Sequence, residues 1–277
     1  MRSIAIPSSV KKLMDAASRP NDTNIDLIKT NYKKLLKGEP EVSIVIPAYN
    51  EEKNILATLC ALSASETNRS VEIVVVNNNS KDRTEELVTA SGVTCVKESI
   101  QGITAARNAG LKAAKGKYII NADADTIYPA DWVELMVAPL ANNENISLCY
   151  GRFSFIPTGV TGRLTYFFYE YIADALRYRN KFFKEEAVNV YGFNSAFRRE
   201  QGIKVNGFEH PEGSNEDGWL ALKLRNEGFG KLHYVTNIKA LVWTTDRRIQ
   251  MDGGLLKGLT KRFKRIVLGK GEKHEGL

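Results

Sequence analysis

The sequence predicts an α/β fold, a single domain with a mostly parallel central sheet, helices on both faces, and helical N- and C-terminal extensions. Three observations carry that expectation. The runs Val42 to Ile46 and Val71 to Val76 are apolar and largely β-branched apart from Ser43 and Glu72, as in strands buried on both faces. Each is followed by a segment whose apolar residues recur at helical spacing. The junctions between them are polar and rich in turn formers, and in alternating β/α sheets ligands bind beyond the carboxyl ends of the strands.

In chain order, residues 1–40 are polar with helical periodicity in Val10, Leu13, Met14 and Ala17, and again in Ile25, Ile28, Tyr32, Leu35 and Leu36. They read as a helical extension packed on a domain that begins near residue 41. In "EVSIVIPAYNEE", Pro47 ends the first strand and Asn50 is placed to cap a helix carrying Ile55, Leu56, Leu59 and Leu62. "VEIVVVNNNSKDRTEELV" repeats the unit, with Asp82 and Glu85 suited to the positive end of a helix. A short strand at Val93 to Val96 follows, then a helix through Arg107 and Leu111, a stop at Gly116, and a strand from Tyr118 to Asn121. The expected core domain, 41–245, divides into a nucleotide-sugar half at 41–150 and an acceptor half at 151–245, with a basic C-terminal segment at 246–277.

The 277 residues are 43% hydrophobic and 26% charged, an ordinary globular balance. No apolar run is long enough to span a bilayer, and "MRSIAIPSSVKK" lacks the apolar stretch of a signal peptide. The expected location is cytoplasmic, or peripheral on the inner face of the membrane. Cys60, Cys95 and Cys149 stand singly among apolar neighbours, as reduced, packed thiols do. The formal charge of +7 is concentrated near the C-terminus, where Leu255 to Lys270 holds six Lys/Arg and no acid.

The stretch "YIINADADTI" ends a buried strand in two acids, Asp123 and Asp125. In a turn, two carboxylates one residue apart can aim at one point, which a divalent cation or a nearby Arg or Lys would then neutralise. Oxygen ligands suit Mg²⁺ or Mn²⁺, which keep positions open for phosphate oxygens. A solvated turn capping the next helix is the plainer reading of the same residues.

Four segments in order, "VSIVIPAYNEEKNI", "VEIVVVNNNSKDRT", "GITAARNAGLKAAKGKYIINADADT" and "NEDGWLALKLRNEGF", resemble family 2 glycosyltransferases with the nucleotide-diphospho-sugar (GT-A) fold. The resemblance runs from about Val42 to Thr245. It implies that Pro47, Ala48, Tyr49 and Glu51 line a nucleotide pocket, that Asn77 to Ser80, Asn79 among them, meet the base and ribose, and that Arg107 faces the nucleotide. It also implies that Asp123 and Asp125 hold metal and diphosphate, Asp125 as the direct ligand. Asp217 would be the base that deprotonates the incoming hydroxyl, with Glu216 and Asn194 on the acceptor side. Asn77 stands where the family usually has Asp; an amide can still accept from a base N–H, and an Asx-rich turn explains "NNNS" equally well.

Arg247 and Arg248, after a late strand, suit a departing diphosphate or a basic surface pair. "GRLTYFFYEYIADALRYRNKFF" reads as an amphipathic helix with Glu170, Asp174, Arg177 and Lys181 on one face and Phe168, Ile172, Ala175 and Leu176 on another. Its apolar face fits core packing or a platform for a sugar ring or lipid acceptor. The stripe from Leu255 to Val267 has the pattern of an interfacial helix on an anionic membrane, equally of a helix packed on the domain, and less well of a nucleic-acid contact.

The function expected is therefore metal-dependent (Mn²⁺ or Mg²⁺), inverting transfer of a sugar from a UDP or GDP donor to a hydroxyl of a saccharide or lipid-linked acceptor. A nucleotidyltransferase would want a Gly-rich phosphate loop after the first strand, which "IPAYNEE" lacks, and an NAD enzyme would want G-x-G-x-x-G. A non-catalytic nucleotide-sugar-binding or scaffold protein on the same fold is the remaining alternative, and Asp123, Asp125 and Asp217 together speak against it.

Overall fold

The computed structural model describes residues 2–17, 22–251 and 253–255. The elements run α1 (Ser8–Ala17), α2 (Asp22–Leu35), β1 (Val42–Ala48), α3 (Ile55–Ser63), β2 (Val71–Asn77), α4 (Thr84–Ala90), β3 (Thr94–Lys97), α5 (Ile103–Ala113), β4 (Tyr118–Asn121), β5 (Thr126–Ile127) and α6 (Trp132–Asn142). They continue with β6 (Ile146–Tyr150), β7 (Phe153–Ile156), α7 (Arg163–Phe183), a 3₁₀ turn (Glu186–Asn189), β8 (Ser195–Arg198), α8 (Arg199–Lys204), α9 (Glu216–Asn226) and β9 (Lys231–Tyr234). A second 3₁₀ turn (Ile238–Ala240), β10 (Val242–Thr245) and α10 (Arg247–Met251) complete the order.

Seven strands form the central sheet in the order β3-β2-β1-β4-β8-β6-β9. The β1 to β4 strands are mutually parallel, and β8 enters antiparallel between β4 and β6. Period-2 alternation sends Ile44, Ile46, Ile73, Val75 and Ile120 into one core with α1, α2, α3 and α6, and Val45, Val76 and Ile119 into another with α5 and α9. That division explains why the strands read as near-continuous apolar runs: both faces are covered. Asn50 departs from its expected role as a helix cap. The α3 helix starts only at Ile55, and Asn50, at φ 54°, takes the Lys81 N–H on its amide oxygen at 2.8 Å.

A smaller sheet, β5-β10-β7, lies beyond β4. Pairing of Thr244 with Thr126 brings the end of β10 beside the segment that follows β4, although the two are far apart in the chain. Among the described residues no helix is long and apolar enough to cross a membrane. The free cysteines Cys60 and Cys149 are buried and Cys95 is half-buried, as their apolar neighbours suggested.

The amphipathic helix α7 is mounted the opposite way from a core helix. Its charged face is turned inward. Arg163 grips Glu170 through two bonds of 2.8 and 2.9 Å, Glu170 accepts the Phe155 N–H at 2.7 Å, and Asp174 takes Arg2 at 2.9 Å and Arg152 at 2.7 Å. Ion pairs with this much mutual hydrogen bonding tolerate burial, where a single unpaired charge would not. Arg177 lies over the Phe153 ring, 4.7 Å from its centroid, so cation–π contact adds to the same anchorage. The core-packing reading of Phe168, Ile172 and Leu176 is thereby overturned, since all three are exposed.

Gly230 shows how closely the far edge of the sheet is assembled. At φ 116° it occupies backbone space that L side chains avoid, and an added Cβ would stand 2.2 Å from the Asn145 carbonyl oxygen. Gly230→Ala should therefore cost about 2–3 kcal/mol in urea unfolding, from strain and overpacking combined.

Candidate active site

The ends of β1, β2 and β4 lie side by side, with Ala48 opposite Asn77 and Val45 opposite Asn121, so the segments that follow them share one edge of the sheet. The first two loops are stitched together by backbone donors. The Asn50 N–H reaches Ser80 Oγ at 3.0 Å, the Glu51 N–H reaches Thr84 Oγ1 at 2.8 Å, and the Glu52 N–H reaches Asp82 Oδ2 at 3.0 Å. Pro47 and Ala48 form the strand end beneath this rim, and Tyr49 stands half exposed upon it.

Asn77 does not present its amide to the rim. Its oxygen accepts the Ser80 N–H at 3.2 Å and its nitrogen donates to Glu85 at 3.0 Å, so both ends serve the turn. Asn78 does the same work one residue later, donating to Ile100 O at 2.7 Å and accepting from Gly102 N at 2.8 Å. Asn79, at φ 66°, ties its amide to Ser99 O at 2.8 Å. Asn77 thus spends both ends of its amide on the turn, whereas Asn79 donates to Ser99 and keeps an exposed amide oxygen with no hydrogen bond among the described residues.

Asp123 is set by its own backbone, whose N–H donates to Tyr128 Oη at 2.8 Å while the phenol donates to Phe193 O at 3.1 Å. Its Oδ1 accepts Arg107 Nη2 at 3.0 Å. Asp125 Oδ2 accepts from Thr245 Oγ1 at 2.6 Å and lies 3.3 Å from Arg247 Nη2. Arg247 also clasps Glu51, reaching Oε2 at 3.1 Å. Burial, reinforced by the charge of Asp123, pushes the Asp125 carboxyl up to about 6, while the Thr245 bond and Arg247 pull the other way. Arg248, one residue on, is exposed and makes no ion pair or hydrogen bond with the described residues, so of the pair only Arg247 is brought to the site.

Across from these groups, α9 begins at Glu216 with Asn215 as its cap, the Asn215 oxygen accepting the N–H groups of Asp217 at 3.0 Å and Gly218 at 2.9 Å. Asp217 is buried, and its Oδ1 stands 3.4 Å from Arg107 Nε without a hydrogen bond of good geometry. Burial raises its carboxyl to about 7; Arg107 opposes that rise, and the neighbouring charges of Glu216 and Asp123 add to it. Glu216 is half-buried at the helix start beside it. Arg107, also buried, spans from Asp123 to Asp217, and its Nε and Nη1 have no hydrogen-bond partner.

Asn194 is a further correction. It is buried, with its oxygen on Trp132 Nε1 at 2.8 Å and its nitrogen on Arg152 O at 2.8 Å, so both ends of its amide are engaged inside the protein. The residue that does reach Asp217 is Gly192, where an added Cβ would fall 2.1 Å from Arg107 Nη2 and 2.4 Å from both Asp217 oxygens. Gly192, Tyr128 and Thr245 were missed by sequence reasoning. Only Thr245 carried a signal, its place beside Arg247 after the late strand.

One guanidinium serving the buried Asp217 and the partly buried Asp123 should show in stability. Replacing Arg107 by Met should cost about 3–5 kcal/mol at pH 8, because two carboxylates lose their counter-charge. Urea unfolding should show that loss shrinking as pH falls through about 7, where Asp217 takes up a proton and needs no cation.

Comparison with known proteins agrees with this geometry. The chain aligns with UDP-Glc:alpha-D-GlcNAc-diphosphoundecaprenol beta-1,3-glucosyltransferase WfgD of Escherichia coli at 33% identity over 119 residues, 42% of this chain and 46% of that protein. It aligns with the chondroitin synthase of Escherichia coli at 32% over 142 residues, 47% of this chain and 21% of that protein. The matched region thus spans less than half the length of either relative. Among solved structures, the mannosyltransferase PcManGT of Pyrobaculum calidifontis, in complex with GDP-Man and Mn²⁺, superposes with a TM-score of 0.57 at 20% identity, covering 92% of this chain and 76% of that one. Glucosyl-3-phosphoglycerate synthase of Mycobacterium tuberculosis, in complex with Mn²⁺, UDP and phosphoglyceric acid, gives 0.54 at 24%, covering 85% and 79%. These likenesses establish the GT-A fold. The glycosyl transferase family 2 model matches residues 43–201, more than half of the sequence and all of the β1 to β8 framework that carries Glu51, Arg107, Asp123 and Asp125, so the chain belongs to glycosyl transferase family 2.

Proposed function

We propose that the protein transfers a sugar from a nucleoside diphosphate to an acceptor hydroxyl with inversion, and that Asp217 is the general base. The observation that carries this reading is the line Asp123–Arg107–Asp217. Two acids from separate elements share one buried guanidinium, with Asp217 Oδ1 and Arg107 Nη1 buried without hydrogen bonds, which supports assigning Asp123 to the donor side and Asp217 to the acceptor side. Buried polar atoms without partners are costly, and a bound substrate is what would satisfy them.

The chemistry follows from the charges. The acceptor oxygen attacks the anomeric carbon as the bond from that carbon to the diphosphate oxygen breaks, and the hydroxyl proton passes to the Asp217 carboxylate. A carboxyl raised towards neutrality is a better proton acceptor than an ordinary one and is still ionised at pH 8. Attack from the face opposite the leaving group inverts the anomeric centre. Arg107 stabilises Asp217 before it takes the proton, and Arg247 supplies a cation on the donor side.

The donor set fits a hard divalent cation. Asp123 and Asp125 each commit one carboxylate oxygen to protein donors, leaving Asp123 Oδ2 and Asp125 Oδ1 without protein hydrogen bonds among the described residues. An Mg²⁺ or Mn²⁺ ion is commonly held by one or two carboxylates together with substrate phosphates. Mn²⁺ or Mg²⁺ bound there would offset the charge that grows on the departing diphosphate. The similar proteins bind Mn²⁺ with UDP or GDP-Man, and a UDP or GDP sugar is the donor proposed here.

A thermal-shift comparison of UDP, GDP and their sugars, with and without Mn²⁺, tests the donor side: stabilisation should require nucleotide and metal together and should vanish in Asp125→Ala. Asp217→Asn should retain that shift while transfer drops at least about a hundredfold; near-normal turnover would remove Asp217 from the role of base. Because the base works ionised, kcat/KM should fall about tenfold per pH unit below the Asp217 midpoint near pH 7 and level off above it.

A further inference from the structure

The outer face of α7 is an apolar surface with nothing of the described chain on it. Leu164, Phe168, Tyr171, Ile172, Phe182 and Phe183 fall on one side of the helix, with Phe168 and Ile172 each 60% exposed, Phe182 64% and Phe183 82%. Single exposed apolar residues are commonplace, but a continuous stripe along a 21-residue helix is not. The helix is held by its charged side, so the stripe is not a core face that slipped outward: turning it inward would break the Arg163–Glu170 and Arg2–Asp174 pairs.

The charges around the stripe select its partner. Both acids of the helix, Glu170 and Asp174, are committed to inward ion pairs. Arg179 and Lys184 are exposed at the C-terminal end, while Lys181 pairs with Glu186 at 3.5 Å, and the acids beyond the helix, Glu185 and Glu186, are taken by Arg225 and by Lys181 and Tyr150. The outward surface is therefore aromatic, aliphatic and basic, the combination that inserts at an anionic lipid headgroup layer. Residues 256–277, which lie outside the described structure, carry seven Lys/Arg against two Glu and would repel the basic end of this face. A second copy would set Arg179 and Lys184 against a surface of the same sign.

We propose that α7 docks the protein on an anionic lipid bilayer through this stripe. The helix also leads straight to the acceptor side: Asn180 bonds Asn189 at 3.0 Å, Asn189 bonds the Arg177 carbonyl at 3.0 Å, and three residues on Gly192 lies against Asp217. Resting on the transferase reading, the consequence is an acceptor held in the same bilayer, a lipid-linked saccharide or lipid hydroxyl.

Co-sedimentation of the full chain with phosphatidylcholine vesicles, with and without phosphatidylglycerol, tests the docking. The wild type should bind the mixed vesicles, and Phe168→Ser with Phe182→Ser should weaken binding about tenfold or more, the worth of moving an aromatic side chain out of water. Arg179→Glu with Lys184→Glu should remove the preference for phosphatidylglycerol. Undiminished binding by the Phe double variant would assign lipid contact to 255–270 and overturn the proposal. So would no binding by the wild type, or a wild-type dimer in light scattering that the Phe double variant makes monomeric without vesicle binding. The Mn²⁺-dependent nucleotide shift, read on the same samples, should be equal in wild type and variants; its absence from the wild type would count against the transferase reading and leave the vesicle result standing.

Discussion

Everything at the site depends on the burial of one cation. Arg107 lies in the interior between Asp123, at the end of a parallel strand, and Asp217, in the first turn of a distant helix. Without it, the charge of Asp217 would stand beside those of Asp123 and Glu216 in a poorly solvated space, and its ionised form would not persist near neutrality. Gly192 is required beside this guanidinium because no side chain fits between the arginine and Asp217.

A second cation works at the opposite end of the donor side. Arg247 comes from the start of α10 and joins Glu51 to Asp125, while Thr245 bonds the same Asp125 oxygen. The three carboxylates at the strand ends are therefore divided between two arginines from different parts of the chain. That division leaves one oxygen on each of Asp123 and Asp125 without a protein hydrogen bond among the described residues. The loops beneath are rigid for a related reason: the Asn-rich turn spends its amides on its own backbone and on the next strand.

Electrostatics also explains the odd mounting of α7. A helix normally buries its apolar stripe, but here Arg2, Arg152 and Arg163 supply a buried set of partners for Glu170 and Asp174. Satisfied ion pairs hold the helix inward and leave its aromatic residues outward.

The parallel sheet was legible because strands buried on both faces are near-continuous apolar runs, and strand-end acids such as Asp123 and Asp125 stand out against them. Asp217 was legible through the resembled motif. The direction in which side chains point was not: periodicity separates the two faces of α7 but does not say which is buried, since that depends on Arg2 and Arg152, remote in sequence. For the same reason Asn77 and Asn194 read as ligand-facing polar residues, although the fold supplies each with internal partners. The sequence by itself determined the alternation of strand and helix through β4 and the acids that follow that strand, because those follow from local pattern. Only the tertiary structure decided the pairing of those acids with Arg107 and Arg247, because a counter-charge is chosen by proximity in space, which the antiparallel insertion of β8 and the pairing of β10 with β5 create.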